Sequence, residues 1–442
     1  MSRSPWAWQP QGTTVVVGPP ERAPDVEMAV PGSKSVTNRA LIMAALATGP
    51  SRLEGILRSD DSYWCVEALR ALGVPVEVDG TAVAVSGCGG RWPRATGRLY
   101  VGSAGTLARF LPGAIAAAAT GPWELDGSPQ LRGRPIAPLV QALRELGANI
   151  SYGAAEGQLP LLIRPGLRGG GVALSGRVSS QFTSGVLLAA PYARAPVELN
   201  VADDLVQPEY VGLTIQMMQA FGADVEAVQG WTRVQVRPRP YAGRTMTLEA
   251  DASTACYFLT AAALTGGRVR VTNVGYDSLQ PDARFVDVLE RMGCRVHRSG
   301  SYLEVVGPPR LVGGFTADMR PMSDQALTLG AAAVFADAPI TVTGVPHIRR
   351  HESDRIGVFV REMGRLGVRV DEHEDGFTVY PGQPEPRAAV LDPHDDHRQA
   401  MAFALLGTRV PGIQIGDPGC VSKTCPEYFQ LLARLGVSVA YQ

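Results

Sequence analysis

Six times along this chain a helical pattern ends in an apolar residue and one glycine, and an alternating, strand-like run follows. Ala68-Leu69-Arg70-Ala71-Leu72-Gly73-Val74 and Ala142-Leu143-Arg144-Glu145-Leu146-Gly147-Ala148 are two instances. The stop glycines 73, 147, 222, 293, 367 and 436 recur at intervals of 69 to 75 residues. Glycine at such a site closes a helix in the left-handed conformation, and regular recurrence marks an internal repeat rather than isolated caps. Each unit also holds a second, more apolar helical stretch: 37–47, 106–119, 182–190, 254–264, 325–335 and 399–406. β-rich runs follow these stretches, as in Pro196-Val197-Glu198-Leu199-Asn200-Val201 and Ile340-Thr341-Val342-Thr343. Every unit therefore reads as helix, strand, helix, strands, an α/β architecture with the apolar helices inside. Six units divide most simply as three and three. The pattern predicts one domain over 33–248, a second built from 13–32 plus 249–442, and a loose leader over 1–12, which is rich in Trp, Pro and Gln.

The composition suits such an architecture, since 442 residues with 45% hydrophobic and 19% charged allow two or three domains with their own cores. A net charge of -1 provides no general field for nucleic acid or an anionic membrane, so any anion must be held by a local cluster. Cysteines 65, 88, 256, 294, 420 and 425 have no metal-knuckle or disulfide-scaffold spacing and read as reduced thiols of a cytoplasmic protein. The N-terminus lacks the form of a signal peptide, and the alanine-rich stretches are too interrupted to span a bilayer.

The polar residues at the entrances of the apolar helices carry the chemistry. Val30-Pro31-Gly32-Ser33-Lys34-Ser35-Val36-Thr37-Asn38-Arg39 runs from a turn into a helix start, where unpaired N–H groups favour an anion and Lys34, Ser35 and Arg39 add donors. Of 41 Lys plus Arg, only Lys34 and Lys423 are lysines, and an ammonium can release a proton where a guanidinium cannot. No glycine sits at the Walker spacing upstream, which speaks against a P-loop. The other entrances are Gly102-Ser103-Ala104-Gly105-Thr106, Ser179-Ser180-Gln181, Asp251-Ala252-Ser253, Ser323-Asp324 and Asp395-Asp396-His397-Arg398. The partner helices begin near Arg132-Gly133-Arg134, His351-Glu352-Ser353-Asp354-Arg355 and Lys423-Thr424. Helix capping explains many of these residues. It does not call for Lys34, Gln181 or Arg398, and the whole set suits a small dianionic metabolite.

Pro31-Gly32-Ser33-Lys34-Ser35 with Asn38-Arg39, Ala104-Gly105-Thr106 with Arg109, Arg134-Pro135-Ile136, Ser179-Ser180-Gln181, Glu352-Ser353-Asp354-Arg355, Asp396-His397-Arg398 and Lys423-Thr424 resemble, in order and over nearly the whole chain, the 5-enolpyruvylshikimate-3-phosphate synthase family. The resemblance implies a two-domain enolpyruvyl transferase fold of six βαβαββ repeats, three per domain, with the active site in the cleft between domains. It implies transfer of the enolpyruvyl group of phosphoenolpyruvate to the 5-hydroxyl of shikimate 3-phosphate, without metal or organic cofactor. By the same resemblance Lys34, Gly105, Thr106, Arg134, Gln181 and Lys423 bind the phosphoenolpyruvate phosphate end, and Arg355 and Arg398 its carboxylate. Ser35, Arg39, Ser179, Ser180, Gln207, Tyr210, Asp324, His347 and His351 bind the acceptor, and Lys34, Asp324 and Glu352 serve catalysis. The expected partners are these two small molecules, with no nucleic acid or membrane, and the expected state is a monomer.

Ser103, Gln207, His347 and His351 depart from the family's usual Asn, Ser, Asn and Lys. They leave a nucleotide such as UMP as an alternative acceptor, and a non-catalytic anion-binding paralogue as a remoter one. If the two imidazoles replace the lysine charge, acceptor affinity should follow histidine titration near pH 6.5. A zinc reading of His347 and His351 with Glu352 lacks both the HEXXH order and a third ligand.

Overall fold

The structure, a computed structural model, describes residues 3–8, 12–382 and 386–442. The chain separates into two compact units. One is Gly32–Glu249 with the N-terminal residues to Trp6, and the other is Ala7–Pro31 with Ala250–Gln442.

Among the described residues, twelve helices of seven residues or more build the six repeats: α1 (Lys34–Leu46), α2 (Asp60–Ala71), α3 (Gly105–Ala118), α4 (Ala137–Glu145), α5 (Ser180–Ala189), α6 (Pro208–Ala220), α7 (Ala252–Thr265), α8 (Phe285–Arg291), α9 (Ala326–Ala333), α10 (Arg355–Arg365), α11 (His397–Gly407) and α12 (Tyr428–Arg434). The odd-numbered helices are the apolar ones. They are buried nearly all round, as a helix without a polar face must be. In the first unit α3 packs against both α1 and α5; in the second, α7, α9 and α11 all touch one another. Small residues set the α3–α5 approach: a Cβ on Gly113 would stand 2.9 Å from Ala189 Cβ, and one on Gly185 would strike the Arg109 carbonyl. Only glycine lets two backbones come so close.

Each repeat contributes a four-stranded sheet of one design, a parallel pair extended by two antiparallel strands. Phe315–Asp318 runs parallel to Ile340–Thr343, for example, which pairs antiparallel with Gly376–Tyr380, itself paired with Arg369–His373. Three sheets recruit distant strands. Thr245–Thr247 completes the first sheet beside Pro50–Glu54, and Thr14–Gly18 lies between Ile413–Gly416 and Ser438–Tyr441. Asp25–Met28 likewise joins Arg268–Val271, so the second unit needs residues from both ends of the chain. All six stop glycines adopt positive φ, between 80° and 94°.

The expected loose leader is corrected where it is described. Ser4 is 1% exposed and its N–H donates to Asp60 Oδ1 at 2.9 Å. Trp6 meets Tyr63 and the Arg58 guanidinium in the first unit, and Trp8 packs on Phe429 and Tyr441 in the second. Composition without periodicity does not reveal such anchors. The remaining leader positions 1, 2 and 9–11 lie outside the described residues.

Candidate active site

In the first unit the candidate residues sit at starts of α1, α3, α5 and α6. The Ser33 hydroxyl caps α1 at Val36 N, and Lys34 Nζ stands 4.0 Å from Asp61 Oδ2 at the start of α2. Arg39 is turned into the core: Nε donates to Thr214 Oγ1 (2.8 Å), Nη1 to the Ser35 carbonyl (2.9 Å), and Nη2 to Ser184 Oγ (3.2 Å) and the Tyr210 carbonyl (3.3 Å). Its guanidinium also lies over the Phe110 ring, and burial lowers its pKa to about 10. At the start of α3, Thr106 Oγ1 accepts from Asn38 Nδ2 at 2.7 Å, while Ser103 Oγ meets Ser128 Oγ at 2.7 Å. A Cβ on Gly105 would stand 2.6 Å from Arg134 Nη1, so the bare glycine leaves room for that guanidinium. Ser179 caps α5, accepting from Gln181 N at 3.2 Å. Gln207 precedes α6 with φ 49°, a left-handed conformation for a residue with a side chain.

The second unit holds an alternating array of charges. Lys423 Nζ lies 3.1 Å from Glu352 Oε1, and Glu352 Oε2 accepts from Arg355 Nη2 at 2.9 Å. Arg355 Nη1 donates to Asp324 Oδ1 at 2.9 Å, and Asp324 Oδ2 accepts from Arg398 Nη2 at 2.7 Å. Asp396 anchors the array from below: Oδ2 accepts from Arg355 Nε at 2.8 Å, and Oδ1 caps α11 at Arg398 N. Arg355 is 2% exposed. Burial alone would lower its pKa, but Asp396, Glu352 and Asp324 together raise it. Arg398 is raised in the same way, against burial, chiefly by Asp324. One carboxylate thus bridges two arginines, which shows that the pair is spaced to grip a carboxylate.

The model of EPSP synthase (3-phosphoshikimate 1-carboxyvinyltransferase) matches residues 22–432. A relative from Halalkalibacterium halodurans, named 3-phosphoshikimate 1-carboxyvinyltransferase 2, is 52% identical over all of this chain and 98% of its own. The chloroplastic 3-phosphoshikimate 1-carboxyvinyltransferase of Arabidopsis thaliana is 39% identical, over 92% of this chain and 81% of its own. The chain belongs to the EPSP synthase family. A solved EPSP synthase from Acinetobacter baumannii has the same fold, with a TM-score of 0.81 at 26% identity, covering 97% of this chain and 99% of that one.

Of the residues expected from sequence, the structure of this family member brings Asp324, His347, His351, Glu352, Arg355, Arg398 and Lys423 together in the second unit. In the first it joins Gly105 to Arg134, and Arg39 to Ser35 and Tyr210. One expectation is corrected. The imidazoles do not replace a lysine's charge: burial lowers His347 to about 4 and His351 well below the ordinary value, and His351 Nδ1 faces the Arg355 guanidinium at 3.0 Å. His347 Nε2 meets Ser323 Oγ at 2.9 Å. Arg39 ties α1 to α5 and α6 with four of its five N–H groups, on Thr214, Ser35, Ser184 and Tyr210, and keeps the fifth beside the expected acceptor residue Ser35. Sequence reasoning missed the partners Asp61 and Asp396. Asp61 lies in Ser59-Asp60-Asp61-Ser62, which has the form of an ordinary capped helix start, and Asp396, though within an entrance singled out from sequence, gives no sign there of the Arg355 it holds.

Proposed function

We propose that the protein transfers the enolpyruvyl group of phosphoenolpyruvate to the 5-hydroxyl of shikimate 3-phosphate, with release of phosphate, in aromatic amino acid biosynthesis. The observation that carries the reading is the Arg355–Asp324–Arg398 bridge, where two guanidinium groups already hold the two oxygens of one carboxylate at 2.9 and 2.7 Å. The names of the relatives support the same substrates.

On this reading Arg355 and Arg398 hold the donor carboxylate. Lys34, Gly105, Thr106, Arg134, Gln181 and Lys423 receive its phosphate, and Ser35, Ser179, Ser180, Gln207, Tyr210, His347 and His351 face the acceptor. The donor methylene carbon gains a proton as the acceptor hydroxyl loses one and its oxygen bonds to the adjacent carbon. Loss of a methyl proton then expels phosphate and restores the double bond. Asp324 and Glu352 are the carboxylates placed for these transfers, and Lys34 assists. Six free thiols suit a reducing cytoplasm. Among the described residues no helix is long and apolar enough to cross a membrane. We place the enzyme there as a monomer acting on small molecules.

The test is phosphate release from phosphoenolpyruvate with shikimate 3-phosphate and, separately, with UMP. Release with shikimate 3-phosphate alone is expected; release only with UMP would overturn the acceptor while leaving the donor chemistry.

A further inference from the structure

The N-terminal residues Ser4–Trp8 have no part in the reaction just described, yet they dock beside groups that do. On the first unit Ser4 N–H and hydroxyl both reach Asp60 Oδ1, and Trp6 N–H donates to Ser4 Oγ at 3.1 Å. Asp60 is the first residue of α2. The next, Asp61, is the carboxylate facing Lys34. The Trp6 ring stands edge-on to Tyr63 (5.5 Å), Tyr63 to Trp64 (5.2 Å) and Trp64 to Tyr100 (5.2 Å), and the Trp64 indole fills the space where a side chain at Gly102 would lie. On the second unit the Trp8 N–H donates to Ser422 Oγ at 2.9 Å, and that hydroxyl meets the Trp8 carbonyl at 3.4 Å. Ser422 is 0% exposed and immediately precedes Lys423 at the end of the short turn Pro418–Lys423.

Each of the chain's two lysines thus has an N-terminal residue docked one position away from it or from its carboxylate: Ser4 holds Asp60, next to the Asp61 that faces Lys34, and Trp8 holds Ser422, next to Lys423 itself. A lysine carries its ammonium on four rotatable bonds, so its place is set by its backbone and by the carboxylate it faces. A lone 3₁₀ turn holds its backbone weakly. Trp8 clamps the turn before Lys423 through both polar atoms of its own peptide groups, and Ser4 secures the helix start that presents Asp61.

We propose that Ser4–Trp8 form a positioning element for Lys34 and Lys423, an inference that rests on the reading of these lysines as the donor-phosphate site. The experiment compares Trp8→Ala, Ser422→Ala, the double variant, Trp8→Phe and Lys423→Ala in the full chain. It reads KM for phosphoenolpyruvate at saturating shikimate 3-phosphate, and thermal unfolding alongside. Displacement of a positioning group by about 1 Å can cost up to about 10²-fold, so Trp8→Ala and Ser422→Ala should each raise that KM by about tenfold. The double variant should be no worse than either single one, because the Trp8 ring on Phe429 and Tyr441 seats the same peptide that Ser422 Oγ bonds, so either change undoes one clamp. Trp8→Phe, which keeps the peptide and a ring against Phe429 and Tyr441, should restore wild-type KM. If Lys423→Ala raises KM while Trp8→Ala lowers only the melting temperature, the positioning role is overturned and the donor-site reading stands. A wild-type KM in Lys423→Ala would overturn both.

Discussion

Replacing Asp396 by Asn tests whether charge or shape holds Arg355 in place. The carboxylate is 0% exposed and takes four donors: Arg355 Nε at 2.8 Å and Ser353 Oγ at 3.0 Å on one oxygen, Arg398 N at 2.9 Å and Arg355 Nη2 at 3.3 Å on the other. Asn is the same size and remains a good N-cap, so its oxygen will stay on Arg398 N. Its NH₂ then faces Arg355 Nε, donor against donor. Removing one partner of a buried ion pair costs about 3–5 kcal/mol. Arg355 keeps Glu352 and Asp324, each at 2.9 Å, which points to the lower figure. For a unit of this size about 3 kcal/mol corresponds to a fall of roughly 6–12 °C in its unfolding transition. On the proposed reading, in which Arg355 holds the donor carboxylate, a guanidinium released on one side grips it less well, and about 1.4 kcal/mol lost there raises KM for phosphoenolpyruvate about tenfold. Calorimetry of the full chain and steady-state kinetics read the two effects. A transition within about 2 °C of wild type, with KM unchanged, would show that the charge of Asp396 is not what seats Arg355.

The remaining predictions follow from the same geometry. His347 has a depressed pKa of about 4, so the unfolded chain takes up its proton first as pH falls. Its contribution to stability is therefore complete above about pH 6.5 and is lost toward pH 4 at up to about 1.4 kcal/mol per pH unit; His347→Asn should flatten the melting temperature between pH 7 and 5. Burial lowers His347 to about 4 and His351 well below the ordinary value, so KM for shikimate 3-phosphate should not follow ordinary histidine titration between about pH 6 and 8. Gly105→Ala places a methyl 2.6 Å from Arg134 Nη1, which the flexible arginine can relieve by moving. The fold should survive, and inhibition by glyphosate, competitive with phosphoenolpyruvate, should weaken more than KM rises. Arg39→Lys cannot reproduce a fork shared by Thr214, Ser184 and two carbonyls, and should cost about 2–3 kcal/mol of stability, measured by denaturant unfolding of the unit that contains it.

The repeat was legible because its punctuation is local. A glycine that must adopt positive φ after each helix shows itself in the sequence whatever the helix packs on, and the inner helices follow from their unbroken apolar runs. Boundaries slipped where local geometry changed: the stretch read as 325–335 is the helix Ala326–Ala333, because Arg320–Gln325 forms a 3₁₀ turn before it. The charged motifs were legible as an anion site, but their partners were not. Arg355 and Asp396 belong to different repeats and meet only through folding. Arg39 reads as an exposed donor beside Lys34, since nothing in a linear pattern tells which side of α1 it takes. The leader read as loose because its anchors, Tyr63, Asp60, Ser422 and Phe429, all come from elsewhere in the chain.

The strand Thr14–Gly18 leaves the ribosome long before its two neighbours, Ile413–Gly416 and Ser438–Tyr441. Until they arrive, an apolar strand waits without a sheet while the other unit, whose segment Gly32–Glu249 is complete much earlier, can already close on itself. The order of synthesis is therefore written into the topology: one half matures during translation and the other only at its end. A fragment beginning at Ala250 would carry a sheet with its third strand missing, exposing two edges that invite pairing with other chains. A circular permutant that joins residue 442 to residue 1 and opens the chain between Glu249 and Ala250 would bring the segments of the second half next to one another and free it from that wait.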